Sequence, residues 1–473
     1  MTATRLATLA LLALPILSPR AAHAQQTPPA PATTRAPLSD AEIRAIVEQR
    51  VADKRSAGIV VGVLHPDGRT QVVAAGTAGP GRPPLDRNTV FEIGSITKVF
   101  TGTLLAALAE EGRVRLDDPV QKYLPDSVRV PTRNGKAITL ALLAEQRSGL
   151  PRLPDNMRPA DAANPYADYS VAQLYQFLSN HQLTRDPGQT WEYSNLGVGL
   201  LGHALARATG QSYEELVREH VLAPLRMTNT SVTLTPPMRE RLALGHGPQG
   251  GVVANWTIPT LAGAGALLST VTDMLKFVDA NLHPERGPLG RAVALAQRER
   301  AAAAPPMSIG LTWLIMRAGA DTILWHNGGT GGYRSFVGFV PLRKLGVVVL
   351  TNSGGAGADD LGMHLLDRDV PLAPKPAPIP QRTAIELSAD VLARYVGRYQ
   401  LAPDFILDVT IRDGALHVQP TGQPTLRLWP ESETRFFLRE VDAQITFERD
   451  AAGAATGAVL HQNGRNMPAK RLP

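Results

Sequence analysis

Apolar residues recur along the chain at two different spacings, and the spacing changes twice. Residues 58–64 and 71–75 are β-branched runs joined by a Pro-Asp-Gly turn, which predicts a β-hairpin. Residues 96–108 are apolar or small, repeat with a helical period and contain no proline, so they predict a buried helix. From about residue 115 to 305 helical patterns dominate, and we expect a helical subdomain there.

Strand patterns return after the helical region. Residues 322–325, 333–340 and 345–350 are apolar runs typical of strands. Together with the N-terminal hairpin they predict about five antiparallel strands, a usual size for one sheet. The fold class expected for residues 39–368 is therefore α+β, with an antiparallel sheet flanked by helices and a helical subdomain.

A proline-rich segment separates this unit from the rest of the chain. Residues 369–384 contain five prolines and predict an extended linker. Beyond it, Leu407, Val409 and Ile411 alternate with polar residues before an Asp-Gly turn, a pattern typical of a half-buried hairpin. We expect residues 385–473 to form a small C-terminal antiparallel β-barrel domain.

The first residues have the order of a secretory leader. Arg5 precedes an apolar run at 6–17, and the tripeptide Ala-His-Ala follows at 22–24. This order predicts a signal peptide over residues 1–24, because the run is too short to span a membrane and contains a proline. Residues 25–38, rich in proline, alanine and threonine, predict a flexible lead-in. The expected location is periplasmic or secreted, with no stable membrane insertion after signal cleavage.

Composition narrows the classes of function. Of the 473 residues, 44% are hydrophobic and 19% charged, which is typical of a folded soluble chain. The absence of cysteine excludes a disulfide framework, a thiol nucleophile and a zinc-thiolate site. The net charge is +6, but the basic residues are scattered, so no nucleic-acid partner is expected. No cofactor is implied, and the expected partner is a small-molecule or peptide substrate.

The first candidate for chemistry is the pair Ser95 and Lys98, at the start of the predicted buried helix. Their spacing places a hydroxyl and an amine on one helix face. Apolar neighbours would strip water from the amine and lower the Lys98 pKa, which would let neutral lysine take the serine proton. The pattern alone also fits an N-cap serine followed by a surface lysine, but the face around Lys98 is costly for a charge.

The second candidate is Tyr193-Ser194-Asn195, at the start of another helical pattern. Tyr193 beside a lysine could protonate the leaving group and later help to activate water, while Asn195 could hydrogen-bond Lys98 or the substrate amide. The alternative is an ordinary helix cap made by Ser194 or Asn195.

The third candidate is the sequence His326-Asn327-Gly328-Gly329, at the end of a predicted strand. Glycines at 328 and 329 would let a substrate backbone lie along the strand edge beside His326. The backbone amides of Ser95 and Gly329 could form an oxyanion hole. A glycine-rich turn with a surface histidine is the alternative.

Taken in order, Ser-x-x-Lys, Tyr-Ser-Asn and His-x-Gly resemble the motifs of the penicillin-recognising serine hydrolases. The chain is similar to class C β-lactamases and D-alanyl-D-alanine carboxypeptidases, with their esterase and D-aminopeptidase relatives. The resemblance extends through Phe-Glu-Ile-Gly at 91–94 and Ser-Gly-Leu-Pro at 148–151 and covers about residues 40–365. It implies an acyl-enzyme on Ser95 between a sheet and a helical subdomain, and the same roles for Lys98 and Tyr193. Which of these two is the general base stays open.

One motif departs from the class C pattern. Those β-lactamases have Lys-Thr-Gly where this chain has His-Asn-Gly, and the lysine charge there helps to hold the substrate carboxylate. His326 is mostly neutral at pH 7, so efficient hydrolysis of β-lactam antibiotics is in doubt. Arg334 could supply the charge, although a solvated arginine at a strand end is the simpler interpretation.

Two other classes of function are less consistent with these residues. A non-catalytic receptor for β-lactams or cell-wall fragments would usually have lost the nucleophile or the base, and Ser95, Lys98 and Tyr193 are all present. A metal-dependent hydrolase is disfavoured because His65, His203, His246 and His326 lack ligand-pair spacing. The leading hypothesis is an exported serine hydrolase that cleaves a β-lactam, a D-amino-acid peptide or a small ester.

Overall fold

The structure is a computed structural model that describes residues 36–247, 250–355, 357–375, 380–402, 405–421, 425–462 and 464–473. The predicted signal peptide at 1–24 lies outside the described residues, as do most of the predicted lead-in at 25–38 and part of the predicted linker at 369–384. Within the described ranges, no helix has both the length and the apolar character needed to cross a membrane.

The α-helices lie mainly between the first three strands and the main run of later strands. Their bounds are α1 (Asp40–Ala52), α2 (Thr97–Glu110), α3 (Leu140–Ala144), α4 (Val171–Asn180), α5 (Asn195–Thr209), α6 (Tyr213–Val217), α7 (Pro236–Glu240), α8 (Val271–Leu282), α9 (Gly290–Gln297), α10 (Asp359–Leu366) and α11 (Ala389–Ala393). Helical turns dominate residues 115–305, where a helical subdomain is predicted.

The strands fall into two large sheets and one short pair. Their bounds are β1 (Gly58–Leu64), β2 (Thr70–Gly76), β3 (Phe91–Glu92), β4 (Leu268–Ser269), β5 (Ala301–Ala302), β6 (Ser308–Ile309), β7 (Leu314–Ala318), β8 (Asp321–Gly329), β9 (Arg334–Val340), β10 (Leu345–Thr351), β11 (Gly397–Ala402), β12 (Phe405–Arg412), β13 (Ala415–Pro420), β14 (Leu426–Arg427), β15 (Trp429–Pro430), β16 (Arg435–Phe437), β17 (Ala443–Arg449), β18 (Ala455–Gln462) and β19 (Arg465–Arg471).

The first sheet is antiparallel and has eight strands in the order β2-β1-β10-β9-β8-β7-β6-β5. The five predicted strands are present at its centre and at one edge, and β5, β6 and β7 extend the other edge. Those three strands are two to five residues long. They are too short to give a period-two pattern, so the strand number from the sequence is too low.

Helices cover both faces of this sheet, and α2 lies on the face that bears His326. On that face Phe100 of α2 stacks on Phe277 of α8 with ring centres 4.0 Å apart. Phe277 also stacks on Trp313, which meets Phe339 of β9 edge-on at 5.1 Å. This aromatic column fixes α2 against the sheet. The opposite face packs against α1 and α10, whose buried residues form a separate apolar cluster.

The edge of β8 is open at its C-terminal end. Residues 321–325 pair with β7, whereas His326 to Gly329 pair only with β9 among the described strands. Glycine backbone on an open strand edge is a place where an extended ligand can add as a further strand. The fold therefore leaves the end of β8 free beside α2.

The C-terminal residues form a nearly closed antiparallel barrel. Its nine strands run in the order β14-β13-β12-β11-β19-β18-β17-β16-β15. The two edge strands, β14 and β15, are separated by Leu428 alone, so the sheet must curl back towards its own start. Tyr395, Phe436 and Phe447 form its aromatic core, with ring centres 4.6 to 5.5 Å apart. The predicted fold class, an α+β unit of β-lactamase type with a C-terminal β-barrel, is confirmed.

Candidate active site

Ser95 lies in a 3₁₀ turn, Gly94–Ile96, that leads directly into α2. Gly94 has φ +49°, in the left-handed region where a side chain is strained. A Cβ at Gly94 would also lie 2.7 Å from the backbone nitrogen of Gly329. Glycine at 94 therefore serves two needs at once, because it allows both the sharp turn and the close approach of β8 to the turn that holds Ser95.

Gly328 has a packing role that the sequence did not reveal. A Cβ at Gly328 would lie 2.0 Å from the carbonyl oxygen of Ile93 and 2.3 Å from Oγ of Ser335. Ser335 Oγ donates to the same Ile93 carbonyl at 2.8 Å. The glycine thus keeps β8 and β9 in contact with the serine turn. Its predicted part in admitting the substrate remains a proposal.

Lys98 is fully buried and sits within hydrogen-bond distance of three oxygens. Its Nζ lies 3.0 Å from Ser95 Oγ, 2.8 Å from Asn195 Oδ1 and 2.7 Å from the carbonyl oxygen of Ala264. The last two oxygens can only accept, whereas a serine hydroxyl can also donate. A neutral amine has two N–H donors and one lone pair. It therefore fits this environment by donating to Asn195 and Ala264 and accepting from Ser95.

The electrostatic surroundings favour that neutral form. Burial, and secondarily the positive charge of Arg152, hold the pKa of Lys98 well below its ordinary value. Among the described residues, no carboxylate lies within ion-pair distance of Lys98 to offset these effects.

Tyr193 lies beside the lysine. The centre of its ring is 4.8 Å from Lys98 Nζ and 6.2 Å from the centre of the His326 ring. Burial raises the pKa of Tyr193 to about 12, while a hydrogen bond with Ser95 and the charge of Arg152 act in the opposite direction. The phenol is therefore protonated at neutral pH and can act as a proton donor.

The backbone of Pro151 and Arg152 holds the start of α5, where Asn195 lies. Ser194 is the N-cap of α5, and its Oγ donates to the carbonyl of Pro151 at 2.6 Å. The Arg152 carbonyl accepts from Asn195 N at 3.0 Å, which satisfies one of the free amides at the helix start. Asn195 Nδ2 donates to the Tyr166 hydroxyl at 3.0 Å. Ser194 thus caps the helix, and Asn195 orients Lys98.

His326 is buried and close to the other candidates. Its Nδ1 lies 2.6 Å from the backbone carbonyl of Asn327, and because a carbonyl only accepts, Nδ1 carries the proton of the neutral ring. Nε2 is then an acceptor. Burial is the main cause that lowers the pKa of His326 to about 3, and a proton on Lys98 would act in the same direction. The ring therefore supplies no positive charge at neutral pH.

The backbone amide of Gly329 is placed to take part in an oxyanion hole. Thr330 N donates to the Tyr333 carbonyl, so those two residues form a hydrogen-bonded pair across the β8–β9 turn. The next pair, Gly329 and Arg334, is then of the type whose amides point away from the partner strand. This places the Gly329 N–H on the open edge of β8, next to the serine turn.

Arg334 does not have the solvated position expected from the sequence. It is half-buried, and its Nη1 donates to the carbonyls of Thr330 and Tyr333 at 2.9 and 3.0 Å. Its side chain shares the sheet face of Asn327, which donates to Asp359 of α10. That is the face opposite His326. Arg334 thus folds back on its own hairpin, where two loop carbonyls accept from its guanidinium.

Arg152 is the functional candidate that sequence reasoning missed. Its guanidinium carbon lies 5.1 Å from the centre of the Tyr193 ring, although the residue is exposed. The only available signal was its position directly after Ser-Gly-Leu-Pro. A single arginine in a loop has no periodicity or spacing from which its contact with Tyr193 could be inferred.

The other histidines lie apart from this site. His65 Nε2 is 2.7 Å from Gln71 Oε1, His203 Nε2 is 2.8 Å from the Tyr175 hydroxyl, and His246 Nδ1 is 3.1 Å from the Asn352 carbonyl. Across the described ranges, no three histidine, aspartate or glutamate side chains cluster in a way that could hold a metal ion.

Comparison with known families fits this geometry. The family model described as Beta-lactamase matches residues 43–371. A second model, described as a domain of unknown function (DUF3471), matches residues 381–471. The protein therefore belongs to the β-lactamase family of penicillin-recognising serine hydrolases.

Several characterised relatives share this similarity. D-alanyl-D-alanine-carboxypeptidase/endopeptidase AmpH of Escherichia coli K12 is 32% identical over 343 residues, which is 67% of this chain and 86% of AmpH. A β-lactamase of Pseudomonas fluorescens is 27% identical over 66% of this chain and 93% of its own. Penicillin-binding protein 4* of Bacillus subtilis is 26% identical over 82% of this chain and 89% of its own.

Proposed function

We propose that the protein is a hydrolase that cleaves an amide or ester bond through an acyl intermediate on Ser95. The observation that carries this proposal is the environment of Lys98, whose buried Nζ has two obligatory acceptors and the Ser95 hydroxyl around it. A buried amine with that set of partners can take the serine proton at neutral pH.

In the acylation step, Ser95 Oγ forms a bond to the substrate carbonyl carbon and its proton passes to Lys98 Nζ. The carbonyl oxygen becomes negative and accepts from the amides of Ser95 and Gly329, each donor being worth about 3 kcal/mol in such sites. The bond to the leaving group then breaks, and the leaving nitrogen or oxygen takes the proton of Tyr193. Lys98 returns its extra proton to the phenolate, which restores the pair.

This assignment makes Lys98 the base and Tyr193 the acid. It is supported by the opposite effects of burial, which lowers the pKa of Lys98 and raises that of Tyr193 to about 12. In deacylation the proton transfers run in the opposite direction. A water molecule gives up a proton to the Lys98–Tyr193 pair, its oxygen attacks the acyl carbon, and Ser95 Oγ regains its proton.

The substrate class proposed first is a peptide ending in D-alanyl-D-alanine. The name of the AmpH relative gives that specificity for AmpH, and the neutral His326 departs from the lysine of class C β-lactamases. β-Lactams and short-chain esters are the further candidates for the same acyl-Ser95 chemistry. We also propose that the chain is exported, with residues 1–24 as a cleaved leader, 39–368 as the hydrolase domain and 385–473 as the barrel domain.

The test is covalent labelling followed by turnover. The purified chain is incubated with a fluorescent penicillin or a fluorophosphonate, and the modified peptide is identified by mass spectrometry. We expect the label on Ser95 and its loss in Ser95→Ala. Ser212→Ala is the matched control, because Ser212 is an exposed serine that caps a short helix far along the chain.

Rates are then compared on nitrocefin, a D-alanyl-D-alanine peptide, a D-amino-acid amide and p-nitrophenyl acetate. Turnover that disappears in Ser95→Ala supports the hydrolase. Labelling of Ser95 without turnover of any of the four would instead indicate a receptor for β-lactams or cell-wall fragments. An unlabelled, inactive and folded protein would overturn both.

A further inference from the structure

The arginine at the rim of the site, Arg152, has no counter-charge in the part of the chain that the structure describes. Arg152 is exposed, and among the described residues its guanidinium has no carboxylate and no hydrogen-bond acceptor as a partner. It nevertheless lies 5.1 Å from the ring centre of Tyr193. A guanidinium is a rigid fork of donors that matches a carboxylate in two-point geometry. An unpaired one beside a catalytic group is therefore free to bind an anion from the substrate.

The position of a substrate carboxylate follows from the position of the leaving nitrogen. Tyr193 must face the leaving nitrogen in order to protonate it. In a peptide that ends in D-alanine, the terminal carboxylate is two bonds from that nitrogen. A cation 5.1 Å from the centre of the Tyr193 ring is consequently close enough to meet a carboxylate that lies two bonds from that nitrogen.

The other charged candidates around the site are already engaged or lie elsewhere. Lys98 is fully buried under Ser95 and satisfied by acceptors. Arg334 donates to two loop carbonyls on the opposite sheet face. His326 donates from Nδ1 to a backbone carbonyl and presents only an acceptor at Nε2.

We propose that Arg152 binds the terminal carboxylate of the substrate and so selects acidic leaving groups over neutral ones. The inference rests on the proposed function, since it assigns a specificity residue to the acyl-Ser95 reaction. The backbone of Arg152 supports the role, because its carbonyl accepts from the amides of Asn195 and Leu196 and holds the residue at the start of α5. Those bonds do not depend on the side chain.

The experiment compares two leaving groups in four proteins. The substrates are diacetyl-L-lysyl-D-alanyl-D-alanine and its C-terminal amide, with p-nitrophenyl acetate as a small neutral ester. The proteins are the unmodified chain, Arg152→Gln, Arg334→Gln and Arg158→Gln. Arg158 is an exposed arginine of the same loop region whose Nη1 donates to nearby backbone carbonyls, and it is the matched control.

For Arg152→Gln we expect kcat/KM on the acid to fall by about 10- to 100-fold, the range for a lost charge-assisted hydrogen bond. Rates on the amide and on the ester should fall less and by an equal factor, because neither presents a carboxylate and only the effect of the Arg152 charge on Lys98 acts on them. Arg158→Gln and Arg334→Gln should keep the preference for the acid. An equal loss on all three substrates would show that Arg152 acts only through the ionisation of Lys98 and Tyr193, and would overturn the proposal. So would a selective loss in Arg334→Gln.

A binding measurement separates this inference from the proposed function. In Ser95→Ala, where no acyl-enzyme can form, the acid and the amide are titrated by tryptophan fluorescence, and the titration is repeated in Ser95→Ala with Arg152→Gln. Tighter binding of the acid that is lost with Arg152 supports the carboxylate site even if the unmodified chain turns over nothing. Equal binding of the acid and the amide would refute it even if the chain is an active hydrolase.

Discussion

Helices α2 and α8 each place a lysine where a side chain three residues earlier can reach it, and the two lysines behave differently. Lys276 Nζ lies 2.8 Å from the carboxylate of Asp273, and its side chain is 37% exposed. Lys98 lies 3.0 Å from the Ser95 hydroxyl and is 0% exposed. Lys276 is partly exposed to water and has a counter-charge. Lys98 is buried and has no carboxylate partner among the described residues.

The difference between the two sites indicates what lowers the pKa of a lysine enough for it to accept a proton. Burial removes the water that stabilises the ammonium, and a partner carboxylate would restore most of that stabilisation. At Lys98 the partners are neutral oxygens and the neighbouring charge of Arg152 is positive, so the effect of burial on the Lys98 pKa is not offset. The spacing of the residues is the same in both helices, and only the surroundings differ.

Removing each lysine should have very different effects on turnover. In Lys98→Met we expect kcat to fall by about 10³- to 10⁴-fold, because the proton acceptor is lost, with the fold retained since an apolar chain replaces a buried amine. Lys276→Met should leave kcat within about threefold, because Lys276 has no part in proton transfer. Turnover of p-nitrophenyl acetate and circular dichroism of the two variants check this. A Lys98→Met enzyme with near-normal kcat would contradict the assigned base.

Giving Lys98 a carboxylate should abolish the difference between the two sites. Asn195→Asp would place a negative charge about where Oδ1 now lies, 2.8 Å from Nζ. A nearby anion favours the ammonium, which raises the pKa of Lys98, so the fraction of neutral amine at a given pH falls. We expect kcat/KM at pH 7 to drop by about 10²-fold and the rising limb of the pH profile to move to higher pH.

The control for that variant is Tyr166→Phe. Asn195→Asp also loses the donor that meets the Tyr166 hydroxyl, and Tyr166→Phe removes the same hydrogen bond without adding a charge. If Tyr166→Phe shifts the pH limb as far as Asn195→Asp does, the carboxylate is not the cause.

The converse change is Asp273→Asn, which removes the carboxylate from Lys276. Asp273 is fully buried, and its Oδ2 also accepts from Asn229 N at 2.7 Å. We expect the free energy of unfolding to fall by about 2–3 kcal/mol, because an amide replaces a carboxylate among donors. Activity should be unchanged. Denaturant unfolding and ester turnover measured on one preparation test both parts, and a loss of activity in the folded variant would show that the two lysine sites are coupled.

Helix α2, the burial of Lys98 and the C-terminal barrel could be predicted from the sequence, because they depend on local patterns. The apolar run after Ser95 predicted a buried helix, and α2 covers Thr97–Glu110. Lys98 was expected on its apolar face, where the structure places it. The alternation around Leu407 predicted the barrel. Residues 97–108 of α2 are buried on all sides, which leaves a continuous run of apolar and small residues in the chain. In β12 the burial of Leu407 and Val409 on one face leaves an alternation of apolar and polar residues.

Contacts between distant segments could not be predicted in this way. No sequence pattern indicates that a Cβ at position 328 would collide with Ile93, or that Arg152 would reach Tyr193. Arg334 was expected in solvent. Its contact with the loop carbonyls depends on the geometry of the turn, which the sequence does not show. Thr270 and Asp273 have capping-box spacing, yet only Thr270 caps, since the Asp273 carboxylate is directed to Asn229 and Lys276.

The smallest expected effect concerns His203, which lies apart from the candidate active site. Its pKa, like that of Lys98, is lowered by burial and by a nearby arginine. Burial, and then the charge of Arg207, lower the pKa of His203 from its usual 6.5 to about 4. The unfolded chain therefore binds more protons than the folded protein between these two values, so stability falls as pH drops from about 6.5 towards 4. In His203→Asn that part of the acid sensitivity should disappear, a reduction of about 1–2 kcal/mol in the loss of unfolding free energy. Urea unfolding at pH 7 and pH 4.5 measures it. If both proteins lose the same stability between the two pH values, burial of a base without a counter-charge carries no cost here, and the explanation given for Lys98 loses its physical ground.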